Sequence, residues 1–161
     1  MTRLRYKDLE LEFGRGVAEV KAEAIEELPP LEKAIAAGAA EDQQLSELAK
    51  LSPRAAITEA WRQVEAAAVQ AARRNDVSLA PAEVASTGRV IRSLEQHGVI
   101  DVGKIGLLHD LRGLRNQAVH APDFAVSTDA ALDYVQLARR VREYLETARR
   151  LPTGGGQVGP S

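Results

Sequence analysis

No cysteine occurs in the 161 residues. Its absence excludes disulfides, thiolate zinc sites and cysteine nucleophiles together, and it fits a cytoplasmic protein. Aromatic residues are also scarce, at 4% against 45% hydrophobic residues overall, and alanine supplies much of the difference. Small apolar side chains suit closely packed helices, whereas a sheet favours β-branched and aromatic ones. No run of about 18 apolar residues is present, and the N-terminal "MTRLRYKDLELEFG" lacks the apolar centre of a signal peptide. No membrane association is therefore expected, and the expected location is the cytoplasm. The formal net charge of -2 excludes a general attraction to nucleic acid, so any RNA contact needs a local basic patch.

The length suits one domain with a real core. Residues 3–13, "RLRYKDLELEF", alternate apolar and charged positions with the period of a strand. The charged, helix-favouring "VAEVKAEAIEEL" then runs into Pro29 and Pro30, and "LEKAIAAGAAEDQQLSELAKL" continues helix-prone with a break near Gly38. Residues 1–51 thus read as an N-terminal appendage, a strand plus short helices. The helical body starts at "LSPRAAITEAWRQVEAAAVQAARRN". Ser52 can cap a helix whose first residue is Pro53, and Ile57, Trp61, Val64, Ala68 and Ala71 form one apolar stripe. A second helix is expected over about residues 83–97, with Val84, Ile91 and Leu94 inward and Gly98 as its stop. A third runs from near Asp101 to His120. Pro122 marks a loop, and a last helix runs from about Thr128 to Leu151 with Tyr134, Ala138, Val141, Leu145 and Ala148 on one face. The expected fold is therefore all-α, an up-and-down four-helix bundle over 52–151, followed by a tail over 152–161 that has nothing to bury.

Chemistry concentrates in "LRGLRNQAVH", residues 111–120. An arginine followed four to six residues later by a histidine is a weak pattern by itself. With sixteen arginines and three histidines in the chain, roughly 0.9 chance matches are expected, and "RSLEQH" from Arg92 to His97 is one with the same spacing. The two differ in surroundings. With Leu107, Leu111, Leu114 and Ala118 as the buried face of the third helix, His109, Arg112, Asn116 and His120 line the opposite side and Arg115 sits at the boundary. Asn116 and His120 are an i, i+4 pair. In the Arg92 motif no amide side chain directly follows the arginine, only Gln96 adjoins the histidine, and that histidine is followed by Gly98.

"LRGLRNQAVH" in a third helix, before a proline-containing loop and a long last helix, resembles the HEPN superfamily. The signature of that family is an arginine, commonly followed by asparagine or another polar residue, then a histidine four to six positions on. "LSPRAAITEAWRQVEAAAVQAARR" is similar to the first helix of a subgroup of bacterial HEPN proteins. The resemblance spans about residues 52–150 and leaves the first 51 outside it. It implies a four-helix bundle that dimerises, often with two copies of the motif facing a shared cleft. Many members are metal-independent ribonucleases, frequently toxins or defence proteins, and others are inactive binding or dimerisation modules.

The expected activity is endoribonucleolytic, with the substrate's 2′-hydroxyl as nucleophile and a 2′,3′-cyclic phosphate as product. His120 would serve as acid or base, since histidine titrates near neutral pH, and Arg115 would grip phosphate oxygens. Asn116 would orient His120 or bind phosphate, Arg112 and His109 would contact the RNA backbone, and Glu65 is a candidate supporting partner. A homodimer would double these groups in one groove. An antitoxin or a nucleotidyltransferase is the expected heterologous partner. No cofactor or metal is expected: the histidines are separated and no HExxH-type spacing occurs. "GRG" and "GGG" are not phosphate loops, because neither lies between a strand and a helix.

The same residues also have a plain structural account. Arg115 beside an apolar face can pack its stem and expose its head, and a histidine at a helix C-terminus is favoured by the helix dipole. The arginines of "LARRVREYLETARRL" form either a solvated face interleaved with Glu143 and Glu146 or an RNA-facing stripe. The alternative function is a non-catalytic helical module for self-association or partner binding.

Overall fold

The computed structural model describes residues 2–28, 39–120 and 126–150. All the regular structure among them is helical: α1 (Thr2–Glu27), α2 (Ala39–Leu51), α3 (Pro53–Arg74), α4 (Pro81–Val84), α5 (Thr87–Gln96), α6 (Val102–His120) and α7 (Thr128–Thr147). None of these helices is long and apolar enough to cross a membrane. The break expected near Gly38, the residues around Pro122 and the tail from 152 lie outside the described residues.

The strand expected over 3–13 is absent, because that stretch lies inside α1. The apolar face is set by a helical spacing that overrides the local alternation: Phe13, Val17, Val20, Ala24 and Leu28 are all buried, while Leu11, one of the alternating positions, is 64% exposed. These buried residues join the same hydrophobic cluster as the cores of α3, α6 and α7. The stretch read as an appendage is thus packed on the rest. α1 lies antiparallel on α6, with Gly16 against Leu114, Glu23 against Gly106 and Glu27 against Gly103. The glycines make this approach possible. A Cβ at Gly16 would stand 2.9 Å from Leu114 Cδ2, and one at Gly103 would overlap the Glu27 carboxylate. That carboxylate therefore sits over the first turn of α6, where the helix dipole favours an anion. Asp101 caps the same turn, accepting from the Lys104 backbone N–H at 3.2 Å and from Lys104 Nζ at 2.7 Å.

α3 begins as its sequence demands. Ser52 accepts from the Ala55 N–H, Pro53 occupies the first helical position, and the five stripe residues from Ile57 to Ala71 are buried. Its most extensive partner is α7. Small residues on both sides, Ala60, Ala67, Ala71, Ala131 and Ala138, are buried in the core, and side chains of this size allow two helices to approach closely. The C-terminal ends of α3 and α7 lie together. Asn75 donates to the Ala71 and Ala148 carbonyls at 2.8 and 3.0 Å and accepts from the Arg150 N–H at 2.7 Å, and Arg74 reaches the Ala148 carbonyl at 3.1 Å. This is a correction to the up-and-down order, in which alternation would set the end of the fourth helix beside the start of the first. The physical reason is the connection over 75–86, which is long enough to run back along α3 before α5 starts.

The helix expected over 83–97 is divided. Ser86 is extended (φ -127°, ψ 107°), so α4 is a single turn and α5 starts afresh. Val84 is correspondingly 43% exposed, not inward, whereas Ile91 and Leu94 are buried. α5 stops where the glycine predicts. Gly98 has φ +68°, and the Val99 N–H bonds back to the Leu94 carbonyl at 2.9 Å, the geometry that closes a helix on a left-handed residue.

α2 is tied to α7 by charge. Asp42 pairs with Arg139, Glu41 pairs with Arg142 at 3.1 Å, and Leu45 and Ala49 are buried beneath. Two of the arginines left open between a solvated and an RNA-facing role therefore hold an intramolecular helix.

The α1–α6 contact carries a pH dependence. Burial raises the Glu23 pKa above the ordinary carboxylate range, as do a hydrogen bond with Asp110 and the nearby Asp110, Glu27 and Glu26 charges. The native state then holds this proton more firmly than the unfolded chain, so stability falls as pH rises through that range. Glu23→Gln should raise the urea midpoint at about pH 7 and lose that advantage at about pH 4, where the parent carboxyl is itself protonated.

Candidate functional site

α6 presents its polar residues to two different sides. His109 lines a groove of about 330 Å³ between α6 and α1, together with Glu19, Glu23 and Asp110. Arg112 points the other way, with its guanidinium against Gly88 in the first turn of α5. The stripe expected from His109 through Arg112 is therefore split between an acidic groove and the α5 side.

Arg115 and Asn116 are brought together. Both are half-buried, and Arg115 Nη1 donates to Asn116 Oδ1 at 3.0 Å. Among the described residues no carboxylate pairs with the Arg115 guanidinium, and its Nε–H is buried without an acceptor. With the asparagine oxygen engaged, the pair offers N–H groups of both side chains and positive charge, a combination that suits an anion. His120, the last residue of α6, is exposed. Among the described residues it makes no hydrogen bond to Arg115 or Asn116.

Glu65 is engaged elsewhere. It accepts from Trp61 Nε1 at 2.8 Å and from the Thr87 hydroxyl, and so ties α3 to the start of α5. It lies within electrostatic reach of the Tyr134 hydroxyl, as does Arg115.

Tyr134 is the positioning residue that sequence patterning identified only as inward-facing. It is fully buried, and its hydroxyl donates to the Leu111 carbonyl at 3.1 Å. That carbonyl belongs to the turn that carries Arg115, so α7 holds the site from behind. Burial drives the phenol pKa far above its ordinary range. Arg115 opposes that shift and Glu65 adds to it, leaving Tyr134 a neutral donor. Tyr134→Phe should cost about 1 kcal/mol, the usual net worth of such a bond, as a lowered urea midpoint with unchanged helical content.

Among the described residues no group of three or more histidine, aspartate or glutamate side chains is placed to share a metal ion. The chain matches no family model, no curated protein sequence and no solved structure.

Proposed function

We propose that this chain is a metal-independent endoribonuclease of the HEPN type, with α3, α5, α6 and α7 as its four-helix bundle and α1 and α2 as additions. The observation that carries the reading is the Arg115–Asn116 pair, whose one side-chain acceptor, Asn116 Oδ1, is turned to the guanidinium, one turn from an exposed imidazole. A phosphodiester on that pair has its non-bridging oxygens met by N–H donors. The 2′-hydroxyl gives up its proton to a base and attacks phosphorus. The P–O5′ bond breaks, the 5′-oxygen takes a proton, and a 2′,3′-cyclic phosphate remains. His120 serves as base or acid in this scheme, and Arg115 stabilises the charge that builds on the phosphorane.

Among the described residues no hydrogen bond joins Arg115 to His120, and the reading includes a homodimer in which a second copy completes the groove. Action as a toxin or defence factor in a bacterial cytoplasm, restrained by an antitoxin or a nucleotidyltransferase, belongs to the same proposal. Purified protein should cleave single-stranded RNA equally well in EDTA and in magnesium. Intact RNA under both conditions would overturn it.

A second reading is a helix-mediated interaction module. It is favoured by Leu11 and Ile25, which are 64% and 65% exposed and lie four turns apart on α1. The cleavage assay separates the two.

A further inference from the structure

We infer that the RNA strand leaves the Arg115–Asn116 pair along the α5 side of α6, crossing Gly88, with Arg112 and Arg92 as its backbone contacts. The inference rests on the ribonuclease reading above and adds a path and a polarity of charge to it.

Three observations converge on that side. Arg112 precedes Arg115 by three residues, about one turn of helix, and its guanidinium lies against α5: a Cβ at Gly88 would stand 3.0 Å from Arg112 Nη1 and 3.8 Å from Cζ. Gly88 thus leaves the notch in which the guanidinium rests, which makes it a positioning residue for Arg112. Among the described residues Arg112 has neither an ion pair nor a hydrogen bond. Arg92, from the second arginine–histidine spelling, follows Gly88 by four residues, shares its face of α5 and is exposed. Among the described residues no ion pair joins it to Glu95, the carboxylate nearest to it on that face.

The two surfaces that flank this path offer less to a polyanion. The α1 side of α6 carries Glu19, Glu23 and Asp110 around His109, and a phosphate chain there would meet like charge. On α7, Arg139 and Arg142 are already paired with Asp42 and Glu41. Arg92, Arg112 and Arg115 are instead without carboxylate partners among the described residues; Arg112 meets α5 at Gly88, and Arg92 follows one turn later on that face of α5.

Fluorescence anisotropy with a labelled single-stranded RNA tests the path, using the His120→Ala chain as parent so that no substrate is cut. Each of Arg112→Ala and Arg92→Ala should weaken binding roughly threefold to tenfold and flatten the plot of log affinity against log salt by about 0.7, the loss of one phosphate contact. Arg112→Lys should keep the slope. Gly88→Ala, which displaces the guanidinium without removing charge, should weaken binding by a smaller factor, and His109→Ala should leave it unchanged. Circular dichroism confirms that each variant is folded. RNA bound by the parent with affinity and slope unaltered in both arginine variants would overturn the path and leave the ribonuclease reading standing. A loss at His109→Ala as large as at Arg112→Ala would also overturn it. No RNA binding by the parent would overturn the path together with the reading beneath it.

Discussion

Arg115→Ala and His120→Ala should each lower RNA cleavage by about a hundredfold or more, the range seen when a charge-stabilising donor or a general acid–base group is removed. Neither change should unfold the chain. His120 is exposed at the end of α6, and Arg115 makes its one side-chain hydrogen bond among the described residues to the adjacent Asn116. The double variant should be little worse than either single one, because both groups act in one step. Arg115→Lys restores charge but not the planar two-pronged grip, so it should recover only part of the rate. Asn116→Ala removes the acceptor that orients the guanidinium and should fall between the parent and Arg115→Ala. Time courses of a fluorescent RNA, beside thermal melts of each variant, provide the check. Full activity in both single variants would place any cleavage at another site.

Phe13→Ala should destabilise the protein by about 3–5 kcal/mol, the cost of truncating a buried phenylalanine and leaving a cavity. The ring is 1% exposed and belongs to the common core. Against a typical total of about 5–15 kcal/mol, such a loss should move the whole unfolding transition as one cooperative event. A loosely attached appendage would behave otherwise, with a change of at most about 0.5 kcal/mol and an unaltered main transition. Urea denaturation followed by far-ultraviolet circular dichroism distinguishes the two outcomes.

Most of the helical order from Pro53 onward was legible from local signals, Ser52 and Pro53 at the start of α3, Gly98 after α5, and apolar stripes along α3 and α7, but the break at Ser86 that separates α4 from α5 was not. Nor was α1. Leu9, Leu11 and Phe13 alternate like a strand, and the two glycines after them weigh against a helix. The structure gives one of these glycines a role: Gly16 clears the path for Leu114, a tertiary requirement with no local trace. The paired role of Arg139 and Arg142 was hidden for a similar reason, because their partners lie about a hundred residues earlier in the chain. At the candidate site Arg115 and Asn116 are neighbours in the chain itself, whereas the Asn116–His120 pair that helix spacing suggests makes no hydrogen bond among the described residues. The division of α6 into an acidic α1 side and a cationic α5 side was not legible, since it depends on which helices flank α6. Tyr134 behind Arg115 depended on the α6–α7 register.

The end groups left on cleaved RNA test the central claim most directly. Fragments made by the wild-type protein in EDTA, analysed by mass spectrometry, should terminate in 2′,3′-cyclic phosphate on one side of the break and 5′-hydroxyl on the other, and preparations of Arg115→Ala and His120→Ala should yield almost none. Fragments with 3′-hydroxyl and 5′-phosphate ends, or cyclic ends produced undiminished by both variants, would contradict it.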